Sequence, residues 1–498
     1  MQNASMTVLL PDALLMAAIV VAWLTDTFAA RTGRRAVYYI AVLASLAAGV
    51  WFAVNACDAH AYRFFSNMYV VDSFADLMKA VVSIGYAVSI VYSRQYLEER
   101  DLFRGEFFLL GLFALLGQIV MISGNNFLTL YLGLELMSLS LYAVIALRRD
   151  IAQSDEAAMK YYVLGALASG FLLYGISMVY GATGGALDLG DVLAAVSNSA
   201  HPLPLLFGLV FIVAGIAFKL GAVPFHMWVP DVYQGAPTAM TLLTGGGPKV
   251  AAFAWAMRFL VVGLLPLAVD WQQMLMILAA LSLIIGNLTG IAQRNVKRML
   301  AYSAISNMGF VLLGLLAGVV DHWHDVANTA GAAGAYGSSV FYSIVYLITT
   351  LGSFGIVMLL SHRGFEAETL DDFKGLNQRS PLFAFVMLLL MFSLAGIPPT
   401  VGFYAKLAVL QAAMGVGLTW LTVLAVVTSL FGAFYYLRIV KLMYFDAPQD
   451  TAPVGGHPCA RSLLAVNGLV VLALGIVPGP LMTLCVQVSH ALLSSLSL

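Results

Sequence analysis

Charge is what this sequence has least of. Asp, Glu, Lys and Arg make up 10% of its 498 residues, against roughly 25% in a soluble domain. Hydrophobic residues make up 61%, and the mean hydropathy is +0.92. No soluble core is this large and this apolar, so a cytoplasmic globular enzyme is excluded. Cysteine is also scarce. Cys57, Cys459 and Cys485 stand far apart and form no Cys-x-x-Cys, so neither an iron–sulfur site nor a disulfide framework is suggested. Nucleotide, flavin, haem and metal motifs are missing. GGGPK lacks the GK[ST] ending of a phosphate loop and leads into an apolar run. The i, i+2 histidines of DHWHD, His322 and His324, suit neither a helical metal site nor a haem and read as a solvated loop. The net charge of −1 points to no partner, and no nucleic acid is expected. The basic start of a cleaved signal peptide is absent too. Arg31, Arg34 and Arg35 follow the first apolar run, which reads as a retained helix with its N-terminus outside.

What is present is a series of apolar runs about 20 residues long. They predict an all-α polytopic membrane protein, since barrel strands would alternate over about 10 residues. Hydropathy places about fourteen transmembrane helices, at 8–30, 36–56, 69–92, 107–123, 126–147, 158–181, 203–228, 237–263, 272–292, 299–320, 338–361, 381–414, 418–444 and 463–487. Basic residues test the topology independently, because cytoplasmic loops collect them. Alternate loops hold Arg31, Arg34 and Arg35; Arg94, Arg100 and Arg104; Arg148, Arg149 and Lys160; Arg294, Lys297 and Arg298; Arg363, Lys374 and Arg379; and Arg438, Lys441 and Arg461. The opposite loops hold only Arg63, and the seventh loop, though cytoplasmic, has no Lys or Arg. Both termini are therefore expected on the outer side.

Five cations remain inside the spans: Lys79, Lys219, Lys249, Arg258 and Lys406. Arg258 lies near a helix end and is expected to snorkel. Burying each of the others costs at least ~2.5–3.5 kcal/mol on insertion scales. Glu135 is the only glutamate inside a span. In low dielectric a lysine and a glutamate both acquire the ability to exchange protons near neutral pH. If Glu135 neighbours Lys219, each holds the other charged, and separation releases a proton. The plainer alternative is a set of structural ion pairs between helices. Asp76 and Lys79 are three apart on one helix face and can pair, with Asp72 nearby. His226, in PFHMW, is either a proton relay or a hydrogen-bonded structural residue.

Two spans carry internal breaks: the seventh at GAVPF (Pro224) and the twelfth at LAGIPPTVGF (Pro398, Pro399). Proline frees a carbonyl one turn back, and in a bilayer that carbonyl must find protein or water. The breaks are five spans apart, and an odd offset reverses orientation. Two inverted five-helix repeats are therefore expected: residues 106–265 (helices 4–8) and 266–445 (helices 9–13). A three-helix segment, 1–105, would precede them, and a last helix, 446–498, would follow.

FKLGAVPFHMWVPDVYQGAPT, GGGPKVAAFAWAMR, NVKRMLAYSAISNMGF and LAGIPPTVGFYAKL together resemble the antiporter-like membrane subunits of proton-translocating NADH:quinone oxidoreductase, respiratory complex I. The likeness covers about residues 100–445. It implies a proton path entering by Glu135 and Lys219, passing Lys249 and leaving by Lys406. It implies no cofactor in this chain, with NADH, FMN, iron–sulfur clusters and quinone in partner subunits. The implied partners are neighbouring membrane-arm subunits and the lipid bilayer, in a bacterial inner membrane. The related multisubunit sodium/proton antiporters are the alternative.

Overall fold

The computed structural model describes residues 7–58, 60–197, 202–319, 326–448 and 454–494; His322 and His324 lie outside them. Without water to bond the backbone, apolar runs of this length close as helices. Among the described residues, 12 helices are long and apolar enough to cross a membrane. In chain order the α-helices of eight residues or more are α1 Leu10–Phe28, α2 Ala30–Asn55, α3 Ser73–Glu98, α4 Gly105–Ser123, α5 Phe127–Ile145, α6 Ala152–Ala182, α7 Leu189–Ser197 and α8 Pro202–Leu220. There follow α9 Trp228–Gly235, α10 Thr238–Gly245, α11 Gly247–Ala256, α12 Ala268–Ile291, α13 Val296–Ala317 and α14 Val326–Leu360. The last five are α15 Pro381–Ala395, α16 Val401–Gly415, α17 Thr419–Phe445, α18 Pro458–Ile476 and α19 Gly479–Ser494.

Three features depart from the expected continuous spans. The eighth is α10, then α11, then a π-helical turn over Met257–Gly263. The run GGGP interrupts it, with Pro248 in the first turn of α11, where a missing N–H costs nothing. The expected single span 463–487 is α18 and α19, divided at Val477 and Pro478, with Pro480 in the first turn of α19. Finally, the chain is not wholly α. Ala61–Phe64 (β1) and Tyr69–Asp72 (β2) form an antiparallel hairpin. Four-residue strands are too short for a hydropathy window to register.

Glycines let certain helices approach closely, as small residues do in membranes. A Cβ on Gly117 of α4 would lie 2.4 Å from the Met137 backbone nitrogen of α5. A Cβ on Gly286 of α12 would lie 2.7 Å from that of Ser306 of α13. These are the fourth and fifth, and the ninth and tenth, expected spans, so the close pairs recur at the same offset of five as the breaks.

The segment between α9 and α10 is tied to the rest by charge. Glu366 accepts hydrogen bonds from Tyr96 OH (2.7 Å) and Thr238 Oγ1 (2.6 Å) and pairs with Arg100 at 2.8 Å. Lys297 pairs with Glu368 at 2.7 Å and donates to the Ala236 carbonyl at 3.1 Å. Asp231 of α9 receives Lys160 of α6 and Arg298 of α13, each at 2.8 Å. These groups line two cavities of about 290 and 150 Å³. Burial alone would raise the Glu366 carboxyl, but Lys297, Arg100 and the two hydroxyls hold it below the usual carboxylate range.

Candidate functional site: buried lysines at two helix breaks

The first break begins at Gly221, whose φ of +74° only glycine adopts freely. A Cβ there would stand 2.7 Å from Val229 Cγ2 and 3.1 Å from Lys249 Nζ. Ending α8 inside the protein strands its last carbonyls, and two of them are met by side-chain donors. Trp228 Nε1 donates to Phe218 O at 2.9 Å. Lys249 Nζ donates to Leu220 O at 2.7 Å. On the far side, the Val223 N–H donates to Ser282 Oγ at 2.9 Å. The sequence signals all converge on this geometry: glycine where φ is positive, proline where no donor is needed, and an ammonium where carbonyl dipoles converge.

The second break repeats the scheme with different residues. Gly396 has φ +83°, and a Cβ on it would meet Lys406 Cδ at 2.7 Å. Lys406 Nζ donates to Leu394 O at 2.9 Å and Ala395 O at 3.0 Å, the last carbonyls of α15. The Gly402 N–H donates to Ser393 Oγ at 3.1 Å. Pro224 lies in the first break and Pro398 and Pro399 in the second, as expected. By contact, then, Lys406 corresponds to Lys249: each ammonium sits on the carbonyl end of a half-helix.

Lys219, 6% exposed, is held differently. Its Nζ donates to Ser138 Oγ at 2.8 Å and reaches Tyr142 OH at 3.5 Å. Glu135, Ser138 and Tyr142 are three and four residues apart, one stripe of α5. Glu135 belongs to this stripe, but its Oε1 is buried without a hydrogen-bond partner. Among the described residues no ion pair joins Glu135 to Lys219; Lys219 takes Ser138 and Tyr142 of the same stripe instead. His226 lies in the first break, partly buried, with Nδ1 also unpartnered.

Between the two breaks runs a buried polar file. Tyr346 OH donates to Gly245 O at 3.2 Å, and Tyr342 OH to Asn307 Oδ1 at 2.7 Å. Asn307 bonds Ser303, which bonds Tyr436. Phe310 stacks on Tyr342, and Lys406 Nζ stands 5.0 Å over its ring. Sequence reading passed over these residues. Their signal was polar side chains within an apolar span, as in YSAISN.

Two expectations are corrected. Lys79 does not take Asp76 as its partner. It pairs with Asp12 of α1 at 3.2 Å, while Asp76 pairs with His60 at 3.1 Å. Helical spacing reveals only neighbours on the same helix, and the true partners are 67 and 16 residues away. Nor does Arg258 snorkel. It is 2% exposed, pairs with Asp72 at 2.9 Å and donates to Ile122 O at 3.0 Å. Asp72 caps α3 by accepting from the Ala75 N–H at 2.7 Å. This group packs away from the breaks, although α3 also packs on α11, which bears Lys249. Among the described residues, no three His, Cys, Asp or Glu side chains gather as metal ligands.

Residues 124–432 match the family described as NADH:quinone oxidoreductase/Mrp antiporter, TM. A curated relative from Paraburkholderia phymatum, named NADH-quinone oxidoreductase subunit N, is 75% identical over 99% of this chain and 100% of its own. One of the same name from Herminiimonas arsenicoxydans is 57% identical over 97% and 98%. A chain of respiratory complex I from Thermus thermophilus superposes with a TM-score of 0.79 at 31% identity, covering 95% of this chain and 98% of that one. A chain of the Mrp complex from Dietzia shares the fold, with a TM-score of 0.83 at 19% identity over 98% and 99%. The chain belongs to the NADH:quinone oxidoreductase/Mrp antiporter transmembrane family, in its NADH-quinone oxidoreductase subunit N branch.

Proposed function

We propose that this chain moves protons as a membrane-arm subunit of an NADH:quinone oxidoreductase in a bacterial inner membrane. NADH oxidation and quinone reduction take place in partner subunits that carry the FMN, iron–sulfur clusters and quinone. The observation that carries this reading is the pair of broken helices, each with a buried lysine on its exposed carbonyls. Such an ammonium is stabilised by a partial negative charge that vanishes if the half-helix shifts. A small movement at either break therefore changes how tightly a proton is held.

In this reading the path has an entry, a midpoint and an exit. Glu135 and Lys219 form the entry, with Lys219 bonded to Ser138 and Tyr142 on the α5 stripe that bears Glu135. Lys249 follows, bonded to the carbonyl of the residue next to Lys219. The Tyr342–Asn307–Ser303–Tyr436 file is the proposed connection from Lys249 to Lys406, the proposed exit. His226, with its unpartnered Nδ1, is a candidate relay at the first break. The division into repeats 106–265 and 266–445, with 1–105 and 446–498 flanking, belongs to this reading, as do outward-facing termini. One charge crossing 100 mV stores ~2.3 kcal/mol, within reach of one such bond being made and broken.

The second reading is a sodium/proton antiporter subunit, favoured by the shared fold with the Dietzia Mrp chain. Purification from the native membrane separates the two. NADH oxidation that copurifies with the chain supports the first. Sodium-dependent proton exchange without NADH oxidation overturns it.

A further inference from the structure

The group at the hairpin end of α3 takes no part in the proposed path. Its partners come from α1, α2, the hairpin and the π-helical turn. Asp12 of α1 accepts from Lys79 and, at 2.7 Å, from Tyr69 OH of β2. Lys79 Nζ lies 5.1 Å from the Phe52 ring centroid of α2 and 4.8 Å from that of Tyr69. Arg258, from the π-helical turn, pairs with Asp72. His60 links the group to the surface. Its side chain is 12% exposed, its ring stacks on Tyr62 of β1, and it meets the Asp76 carboxylate. Two carboxylate oxygens, Asp12 Oδ2 and Asp76 Oδ1, are buried without partners.

Hydrogen-bond chemistry fixes a proton here. His60 Nδ1 lies 2.8 Å from the Asp58 carbonyl, which only accepts, so Nδ1 carries a hydrogen. Nε2 lies 3.1 Å from Asp76 Oδ2. If the imidazole is neutral, Nε2 offers a lone pair and Asp76 must be protonated. If Asp76 is ionised, Nε2 must carry the proton. One proton occupies this contact in either case, and without it a lone pair faces a carboxylate. The charges agree. The carboxylates of Asp12, Asp72 and Asp76 face the cations Lys79 and Arg258, and the shared proton makes the buried group neutral.

We infer that His60 and Asp76 form a one-proton exchange site, open to water at the hairpin end of α3 and distinct from the lysines at the breaks. Loss of the proton breaks the contact, turns His60 outward and loosens the hairpin over α3. The hydrogen bond to Asp76 raises the His60 imidazole above its usual value, partly offset by burial. The sign follows. The closed hairpin is fully favoured below the ordinary imidazole value of ~6.5 and loses that advantage as pH rises through the raised one. In that window, opening releases up to one proton, so the opening equilibrium grows with pH, by at most about tenfold per unit.

Hydrogen–deuterium exchange of the assembled complex, followed by mass spectrometry of β1 and β2 across a pH series, tests this. Rates are corrected for the intrinsic base catalysis of exchange. The wild type is expected to show flat opening below the window and a rise within it, of at most about tenfold per unit. His60→Gln and Asp76→Asn each keep a hydrogen bond at this contact without a titrating proton. Both are expected to lose the rise. A wild type without pH dependence, or variants that keep its slope, would overturn the inference. The readout is exchange, not pumping, so it stands or falls separately from the proton-transport reading.

Discussion

Arg258 offers a sharp test of whether the charges beside α3 are paired or merely tolerated. Arg258→Met keeps most of the side-chain length and removes the guanidinium. Asp72, 5% exposed, would retain only its bond from the Ala75 N–H, and the Ile122 carbonyl would lose its donor. Breaking a buried pair by removing one partner costs ~3–5 kcal/mol, mostly because the other charge is left uncompensated. A second change isolates that cause. Asn at position 72 preserves the cap on α3, since Asn and Asp are equivalent there, but carries no charge. Arg258→Met is therefore expected to destabilise strongly, and Arg258→Met with Asp72→Asn to recover most of the loss. The assay is the rate at which heat releases or inactivates this subunit in the purified complex, compared in a double-mutant cycle. A snorkelling arginine would make Arg258→Met nearly silent. That result, or a double variant no more stable than the single one, would refute the reasoning.

Other consequences follow from the breaks and the charged segment. Gly221→Ala and Gly396→Ala each force a side chain into left-handed backbone, at ~1–2 kcal/mol, and press on Lys249 and Lys406. Both are expected to lower pumping more than assembly, measured as proton uptake against subunit content. Trp228→Phe removes one of two donors to Phe218 O, the Gly221 N–H at 3.0 Å remaining, and is expected to cost ~0.5–1.5 kcal/mol for the lost hydrogen bond, read as faster heat inactivation. Glu366 is held below the usual carboxylate range by its neighbours. Its contribution to stability is thus present above the ordinary glutamate value of ~4.3 and lost as pH falls through the lowered one. Glu366→Gln is expected to flatten the acid side of the stability profile; an unchanged profile would contradict the assignment.

The crossings were legible because apolar runs and basic loops are one-dimensional signals. The breaks were legible because Gly221, Pro224, Gly396 and Pro398–Pro399 mark local backbone chemistry. The four main ionisable residues stood out against a sequence with so little charge. What they touch was not legible. Lys249 bonds a carbonyl 29 residues away, and carbonyls carry no sequence signature. Lys219 bonds Ser138, one turn along α5 from Glu135, because helix rotation decides which residue of a stripe faces a neighbour. Asp12, the partner of Lys79, lies in a first helix whose packing no local pattern encodes. The hairpin and α7 are too short for hydropathy, and the division between α18 and α19 was hidden by the apolar residues around Pro478.

The central claim is that the buried lysines carry protons. Its most direct test is the number of protons moved per NADH oxidised, in vesicles holding complexes with Lys219→Ala, Lys249→Ala or Lys406→Ala. Assembly would be verified by subunit content. The account predicts a clear fall in that ratio for each variant in fully assembled complexes. An unchanged ratio in all three would contradict it.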